Sequence, residues 1–175
     1  MENKRRTREL PIPQSGCVLD NTVISTLHQA GMLVRILDLW KGRWLVPQEV
    51  REEAARWKAE GQRVTMLLDD LNARRVIRYT EIDPRTEGRL FASLNRTLGG
   101  GESATIAIAH SRHLGAALDD RAAQNACGRL NPPVYWIATE DILTCAATEG
   151  LMSLSEVEAI WAATGITDPN RRVGC

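Results

Sequence analysis

The sequence has little of what marks secreted, zinc-binding and membrane proteins. Its four cysteines lie far apart and form no C-x-x-C pair, which argues against a zinc site and against a disulfide framework. The charged N-terminus has no apolar signal-peptide core. No run of about 20 apolar residues is present, so we expect no membrane span. These features predict a protein of the reducing cytoplasm.

Net charge is also lacking, because 22 basic residues balance 22 acidic ones. A neutral balance supplies no global attraction to nucleic acid, although a local basic patch can still bind it. Four basic residues cluster near the N-terminus: Lys4, Arg5, Arg6 and Arg8. Their surroundings are polar, which favours a solubilising, flexible lead. The length of 175 residues suits one domain. We therefore expect a flexible basic lead over residues 1–15, one domain over 16–165 and a flexible tail over 166–175.

Short apolar runs alternate along the chain with segments of helical periodicity. The predicted strands cover residues 16–20, 43–46, 75–80, 115–118 and 134–138. Most of these runs are continuously apolar, which is typical of a parallel sheet covered by helices on both faces. The run at 75–80 is short and charged, which predicts an edge strand. Near the C-terminus, Ser155 and Glu158 predict a capping box that opens a helix.

Acidic residues occur where the predicted strands end. They are Asp20 after the first strand, Glu53 on the helix after the second, Glu102 after three glycines, and Asp119 and Asp120 after the fourth. A parallel sheet brings such positions to one edge, where ligands collect. Crowded carboxylates repel each other, and a divalent cation compensates that repulsion. Oxygen ligands favour Mg²⁺ or Mn²⁺, so the pattern predicts a metal-dependent phosphodiesterase.

Several of these acids have alternative interpretations. Asp20 is also placed to cap the following helix, and Glu102 is favourable at a helix start. Glu49 lies one turn before Glu53 on the same helix face, so it is an alternative second acid. Neighbouring strand residues point to opposite faces. Only one residue of the Asp119–Asp120 pair is therefore expected to face the metal, while the other caps the helix that starts at Arg121.

Four motifs occur in an order that resembles the PIN-domain superfamily. They are V-L-D-N-T at 18–22, V-P-Q-E-V-R-E-E at 46–53, G-G-E-S-A-T-I-A-I-A at 100–109 and A-L-D-D-R-A-A at 117–123. The chain resembles the branch of uncharacterised PIN-like proteins related to VapC-type toxins, over about residues 16–165. The resemblance implies a three-layer α/β/α fold with a five-stranded parallel sheet. It also implies a Mg²⁺- or Mn²⁺-dependent endoribonuclease, often with a neighbouring antitoxin, and a homodimer.

Carried over by position, the resemblance implies metal ligands at Asp20, Glu53, Glu102 and one of Asp119 and Asp120. This chain departs from the family pattern at Gln124, where relatives often carry arginine, and at Ala138, where glycine is usual. These departures bear on substrate contacts more than on the metal site.

Other functions and other contacts remain open. A nuclease acting on DNA or on structured RNA in a defence or processing system is one alternative, and an inactive RNA- or protein-binding module is another. The filled acidic positions argue against inactivity. Arg121 and the arginines at 74, 75 and 78 are candidate phosphate contacts. His110 and His113 lack a third metal ligand nearby in sequence, and we expect no metal there.

Overall fold

The computed structural model describes residues 12–164 of the chain. The predicted basic cluster near the N-terminus and most of the predicted tail lie outside the described residues. The last part of the predicted lead is described. Its Ile12 is buried in the hydrophobic core.

Between residues 12 and 164, five strands form one parallel sheet. They are β1 (Cys17–Leu19), β2 (Trp44–Pro47), β3 (Ile77–Thr80), β4 (Gly115–Ala117) and β5 (Trp136–Ile137). Their order across the sheet is β3-β2-β1-β4-β5, and every neighbouring pair is parallel. The prediction of a parallel sheet of about five strands is confirmed. The charged strand β3 lies at an edge, as its sequence indicates.

Helices cover both faces of the sheet. They are α1 (Asn21–Gln29), α2 (Leu33–Leu39), α3 (Gln48–Ala55), α4 (Gly61–Ala73), α5 (Gly88–Leu94), α6 (Gly100–Ser111), α7 (Arg121–Arg129), α8 (Thr139–Thr148) and α9 (Leu154–Thr164). Side chains alternate along a strand, so Cys17 and Leu19 join one buried cluster while Val18 joins another. The first cluster includes α1, α2, α4 and α8, and the second includes α6 and α7. This is the three-layer α/β/α architecture expected from the sequence.

The ends of several elements differ from the sequence prediction. The sequence predicts a helix over residues 142–148, whereas helix α8 begins at Thr139, and Asp141 in its first turn accepts a hydrogen bond from the Ala138 N–H. The capping box before α9 uses Ser153 and Glu156 instead of Ser155 and Glu158. Both pairs have the same spacing. The observed pair wins because Ser153 lies just outside the helix, where its hydroxyl can accept the Glu156 N–H.

Four helices start close to the carboxyl ends of strands. Helix α1 follows β1, α3 follows β2, α7 follows β4 and α8 follows β5. We call this edge of the sheet, with those helix starts and the start of α6, the carboxyl rim. Between residues 12 and 164, no helix has both the length and the apolar character to cross a membrane.

Candidate active site

Asp20 lies in the space between β1 and α1 at the centre of the carboxyl rim. It caps α1, because its Oδ2 accepts hydrogen bonds from the Thr22 N–H at 3.0 Å and the Thr22 hydroxyl at 2.6 Å. Its Oδ1 is buried and has no hydrogen-bond partner in the described part of the chain, and the whole residue is 1% exposed. Burial raises the pKa of Asp20 against the lowering effect of the Thr22 hydrogen bonds, and the Glu53 charge adds to the rise. One carboxylate oxygen therefore stays free in a buried position.

Glu53 reaches the rim from α3 and is held by the start of α6. Its Oε1 accepts a hydrogen bond of 2.7 Å from the Gly101 N–H. A Cβ atom at position 101 would lie only 2.6 Å from Oε2 of Glu53. A glycine at this position thus permits the carboxylate to approach the helix start, where unpaired N–H groups favour negative charge. The same close approach explains one of the three glycines before Glu102.

Glu102 lies in the first turn of α6 beside the same N–H groups. Its Oε2 accepts a hydrogen bond from the Gly99 N–H at 3.1 Å, which completes the helix start. Burial raises the pKa of Glu102, and the charges of Asp20, Asp120 and Glu53 raise it further, although the Gly99 hydrogen bond acts in the opposite direction. The structure thus brings Asp20, Glu53 and Asp120 within electrostatic reach of Glu102.

The two aspartates after β4 differ in their surroundings. Asp120 caps α7, since its Oδ1 accepts the Ala123 N–H at 2.9 Å, and its charge acts on Glu102. Asp119 holds the start of α8 instead. Its two oxygens accept the Thr139 N–H and the Thr139 hydroxyl, each at 2.8 Å, and the Thr26 hydroxyl at 3.3 Å. Asp120 is therefore the cap of α7 that the sequence predicts for one of the pair, and the hydrogen bonds of Asp119 engage both of its oxygens.

Two threonines join the strands beneath the site. The Thr22 hydroxyl donates to Asp20, and its oxygen lies 3.4 Å from the Asp119 N–H, which links β1 to β4. In the sequence, Thr22 is only the last residue of the V-L-D-N-T motif. The role of Thr139 was missed, because its partner Asp119 is 20 positions away. A threonine directly after a strand that neighbours β4 is the signal that points to it.

The carboxylates share one pattern of hydrogen bonding. In each of four acids, one carboxylate oxygen accepts a hydrogen bond from a backbone N–H, and the second oxygen takes no part in that bond. The four are Asp20, Glu53, Glu102 and Asp120. No arginine or lysine from residues 12–164 forms an ion pair with any of the four. The free oxygens and the buried, unpartnered Asp20 Oδ1 fit a hard divalent cation.

The carboxylates are not drawn together into a closed coordination sphere. In the described part of the chain, no three His, Cys, Asp or Glu side chains are grouped closely enough to hold a metal ion. Backbone hydrogen bonds instead hold Asp20 at the start of α1, Glu53 and Glu102 at the start of α6, and Asp120 at the start of α7. Glu53 is the α3 acid whose charge acts on both Asp20 and Glu102, which favours it over Glu49. Glu49 Oε2 is nevertheless buried without a hydrogen-bond partner.

The histidines on α6 lie elsewhere. His110 and His113 line a pocket of about 320 Å³ together with Pro13 and Gly115, at the amino ends of the strands. That is the edge of the sheet opposite to the carboxylates. The histidines therefore take no part in the candidate site.

Comparison with known proteins identifies the family of the chain. A family model described as a PIN domain matches residues 16–164. No curated protein matches the sequence. The matched region contains every strand of the sheet and all the carboxylates of the rim. The chain therefore belongs to the PIN-domain family, whose members are generally nucleases.

Proposed function

We propose that the protein is a metal-dependent endoribonuclease that hydrolyses RNA phosphodiester bonds at the carboxyl rim. The observation that carries the proposal is the Asp20 carboxylate, which is 1% exposed and has an unpartnered Oδ1. A buried carboxylate oxygen without a donor is costly unless something pairs with it. The charges of Glu53 and Glu102 nearby make a cation the favourable partner.

The cation would be Mg²⁺ or Mn²⁺, because all the available ligands are hard oxygens. Asp20, Glu102 and Asp120 would hold it, partly through bound water, because no three acidic side chains between residues 12 and 164 form a closed coordination sphere and Mg²⁺ usually keeps several waters. Glu53 would hold it or orient water. When bound, such a cation lowers the pKa of water and stabilises charge on phosphate oxygens. Asp119 is left with a positioning role, since its oxygens already accept bonds from Thr139 and Thr26.

The residues around the cation site fix the orientation of its ligands. The Thr22 hydroxyl and N–H bind Oδ2 of Asp20, which leaves Oδ1 for the cation. The Gly101 N–H binds Oε1 of Glu53 and leaves Oε2. Hydrogen bonds of this kind set the direction and basicity of metal ligands. Attack by water would leave a 5′-phosphate on the product.

RNA as substrate and a toxin-like role are supported by the motif resemblance to VapC-related proteins. On the same ground, a cognate antitoxin and a homodimer are proposed partners. DNA or structured RNA as substrate is the nearest alternative, because four carboxylates and a metal are suited to any phosphodiester.

The decisive experiment compares the wild-type protein with Asp20→Asn on single-stranded RNA and single-stranded DNA, in Mn²⁺ or in EDTA. Asp70→Asn is the matched control, because Asp70 is an exposed aspartate on α4 that pairs with Arg74. We expect RNA cleavage in Mn²⁺ that stops in EDTA, falls at least about 100-fold in Asp20→Asn and is unchanged in Asp70→Asn.

Three results would contradict the proposal. Cleavage of DNA alone would assign a different substrate, and RNA binding without cleavage would make the protein a binding module. Full activity of Asp20→Asn would remove the metal site from the rim.

A further inference from the structure

The four arginines that the sequence suggests as phosphate contacts occupy different places in the fold. Arg74 is engaged in ion pairs with Asp38 and Asp70. Arg75 precedes β3 and thus lies toward the amino ends of the strands, while Arg78 lies within that edge strand. Only Arg121 among these four follows the carboxyl end of a strand at the rim.

Arg121 is exposed and unpaired although it follows an aspartate in the chain. Among residues 12–164, no carboxylate oxygen lies within 4.0 Å of its guanidinium group. Oδ1 of the neighbouring Asp120 accepts the Ala123 N–H instead. The guanidinium of Arg121 is therefore available to an external anion.

The position of Arg121 is unfavourable for the helix that carries it. It is the first residue of α7, where the helix dipole presents positive charge and disfavours a cation. Arg129, in the last turn of the same helix, has the favourable position. A residue that is unfavourable for its own helix and gains no compensating contact within the fold is typical of a functional position.

We propose that Arg121 binds a phosphate of the RNA strand next to the phosphate that is cut. This inference rests on the proposed nuclease function. The carboxylates of the rim repel a polyanion, and Arg121 supplies a positive charge beside Asp120 that attracts it. A guanidinium group donates two parallel N–H bonds to one phosphate, which fixes the strand as well as attracting it. Such a contact does not read the base sequence.

The test measures kcat and KM for cleavage of single-stranded RNA in Mn²⁺ over a range of salt concentrations. Arg121→Gln removes the charge. Arg121→Lys keeps the charge but cannot donate two parallel N–H bonds to one phosphate. Arg129→Gln is the matched control on the same helix. We expect Arg121→Gln to raise KM about 5- to 10-fold with kcat within about twofold. The slope of log kcat/KM against log salt should become shallower by about 0.7, the value for one phosphate contact on a single strand.

Arg121→Lys should keep the salt slope of the wild type and show an intermediate KM. Arg129→Gln should match the wild type in both. Thermal unfolding of each variant checks that the fold is intact. If the wild type cuts RNA and Arg121→Gln has the same KM and salt slope as Arg129→Gln, this inference alone is wrong. If the wild type does not act on RNA, the proposed function fails and the inference fails with it.

Discussion

At the scale of single residues, replacing Asp20 and replacing Asp119 by asparagine should change the free energy of unfolding in opposite directions. Burial raises the pKa of Asp20 above its ordinary 3.8. The folded protein therefore binds a proton at Asp20 more tightly than the unfolded chain does. The stability that this proton contributes is fully present below the ordinary pKa and is lost as the pH rises through the raised pKa. In EDTA at neutral pH, Asp20→Asn should leave the free energy of unfolding unchanged or raise it by roughly 0.5–2 kcal/mol. Denaturant unfolding at several pH values measures this change. Glu102→Gln should act in the same direction, because the pKa of Glu102 is raised too.

Asp119→Asn is the matched comparison and should destabilise the protein. An asparagine has one acceptor oxygen, whereas Asp119 accepts the Thr139 N–H, the Thr139 hydroxyl and the Thr26 hydroxyl with two. Thr139 is fully buried, so a donor left unpaired there costs about 1–3 kcal/mol. Equal stability losses in Asp20→Asn and Asp119→Asn would mean that Asp20 is also a structural residue.

The sequence identifies the acids but not how each one is used. Asp20, Glu102 and Asp120 stand out because they follow strands or glycines, and such local signals are visible in one dimension. Asp119 and Asp120 cannot be separated in this way, since both follow the same strand. Their separation depends on Thr139, which reaches Asp119 only because β5 pairs with β4 in a particular register.

At the scale of elements, the start of α6 binds the carboxylates of Glu53 and Glu102 through backbone N–H groups. Gly101→Ala tests the contact with Glu53. The added Cβ would lie 2.6 Å from Oε2 of Glu53, so the end of that flexible side chain must move. Helix propensity meanwhile favours alanine over glycine by about 1 kcal/mol. We expect the thermal stability in EDTA to be kept while Mn²⁺ affinity, measured by titration calorimetry, falls about 10- to 100-fold.

Gly128→Ala is the control for that element. Position 128 also lies in a helix, but nothing lies within 4 Å of the added Cβ. It should gain stability from propensity and keep the Mn²⁺ affinity of the wild type. Wild-type Mn²⁺ affinity in Gly101→Ala would show that the Glu53 contact with α6 does not matter for the cation.

Elements were predictable in kind and order, and less so in their ends. Continuous apolar runs identified most of the strands, because a strand buried on both faces has no polar side, while the charged β3 lies at the edge of the sheet. The break between α1 and α2 follows from Gly31, whose φ of +69° suits glycine. The start of α8 was missed, because Asp141 and Asp119 supply its hydrogen bonds and the second of these is a tertiary contact. Ser153 and Ser155 are each followed three residues later by a glutamate, so the sequence alone does not distinguish them. The start of α9 at Leu154 makes Ser153 the cap.

At the scale of the whole molecule, the metal-free fold carries repulsion at one rim, so a cation should stabilise the entire domain. A ligand that binds only the folded state adds about 2.7 kcal/mol to the free energy of unfolding at 100 times its dissociation constant. For a domain of this size, that corresponds to a rise in Tm of roughly 5–10 °C. Thermal unfolding in Mn²⁺ and in EDTA measures the difference.

The stabilisation by Mn²⁺ should also depend on pH in a defined direction. Protons and the cation compete for the same carboxylates, and Asp20 and Glu102 hold protons more tightly than usual because their pKa values are raised. The Tm gain should therefore be largest near neutral pH and disappear as the pH falls below those raised pKa values. Asp20→Asn should show little gain at any pH. A gain that persists at pH 4, or one that Asp20→Asn retains in full, would place the cation somewhere other than among these carboxylates.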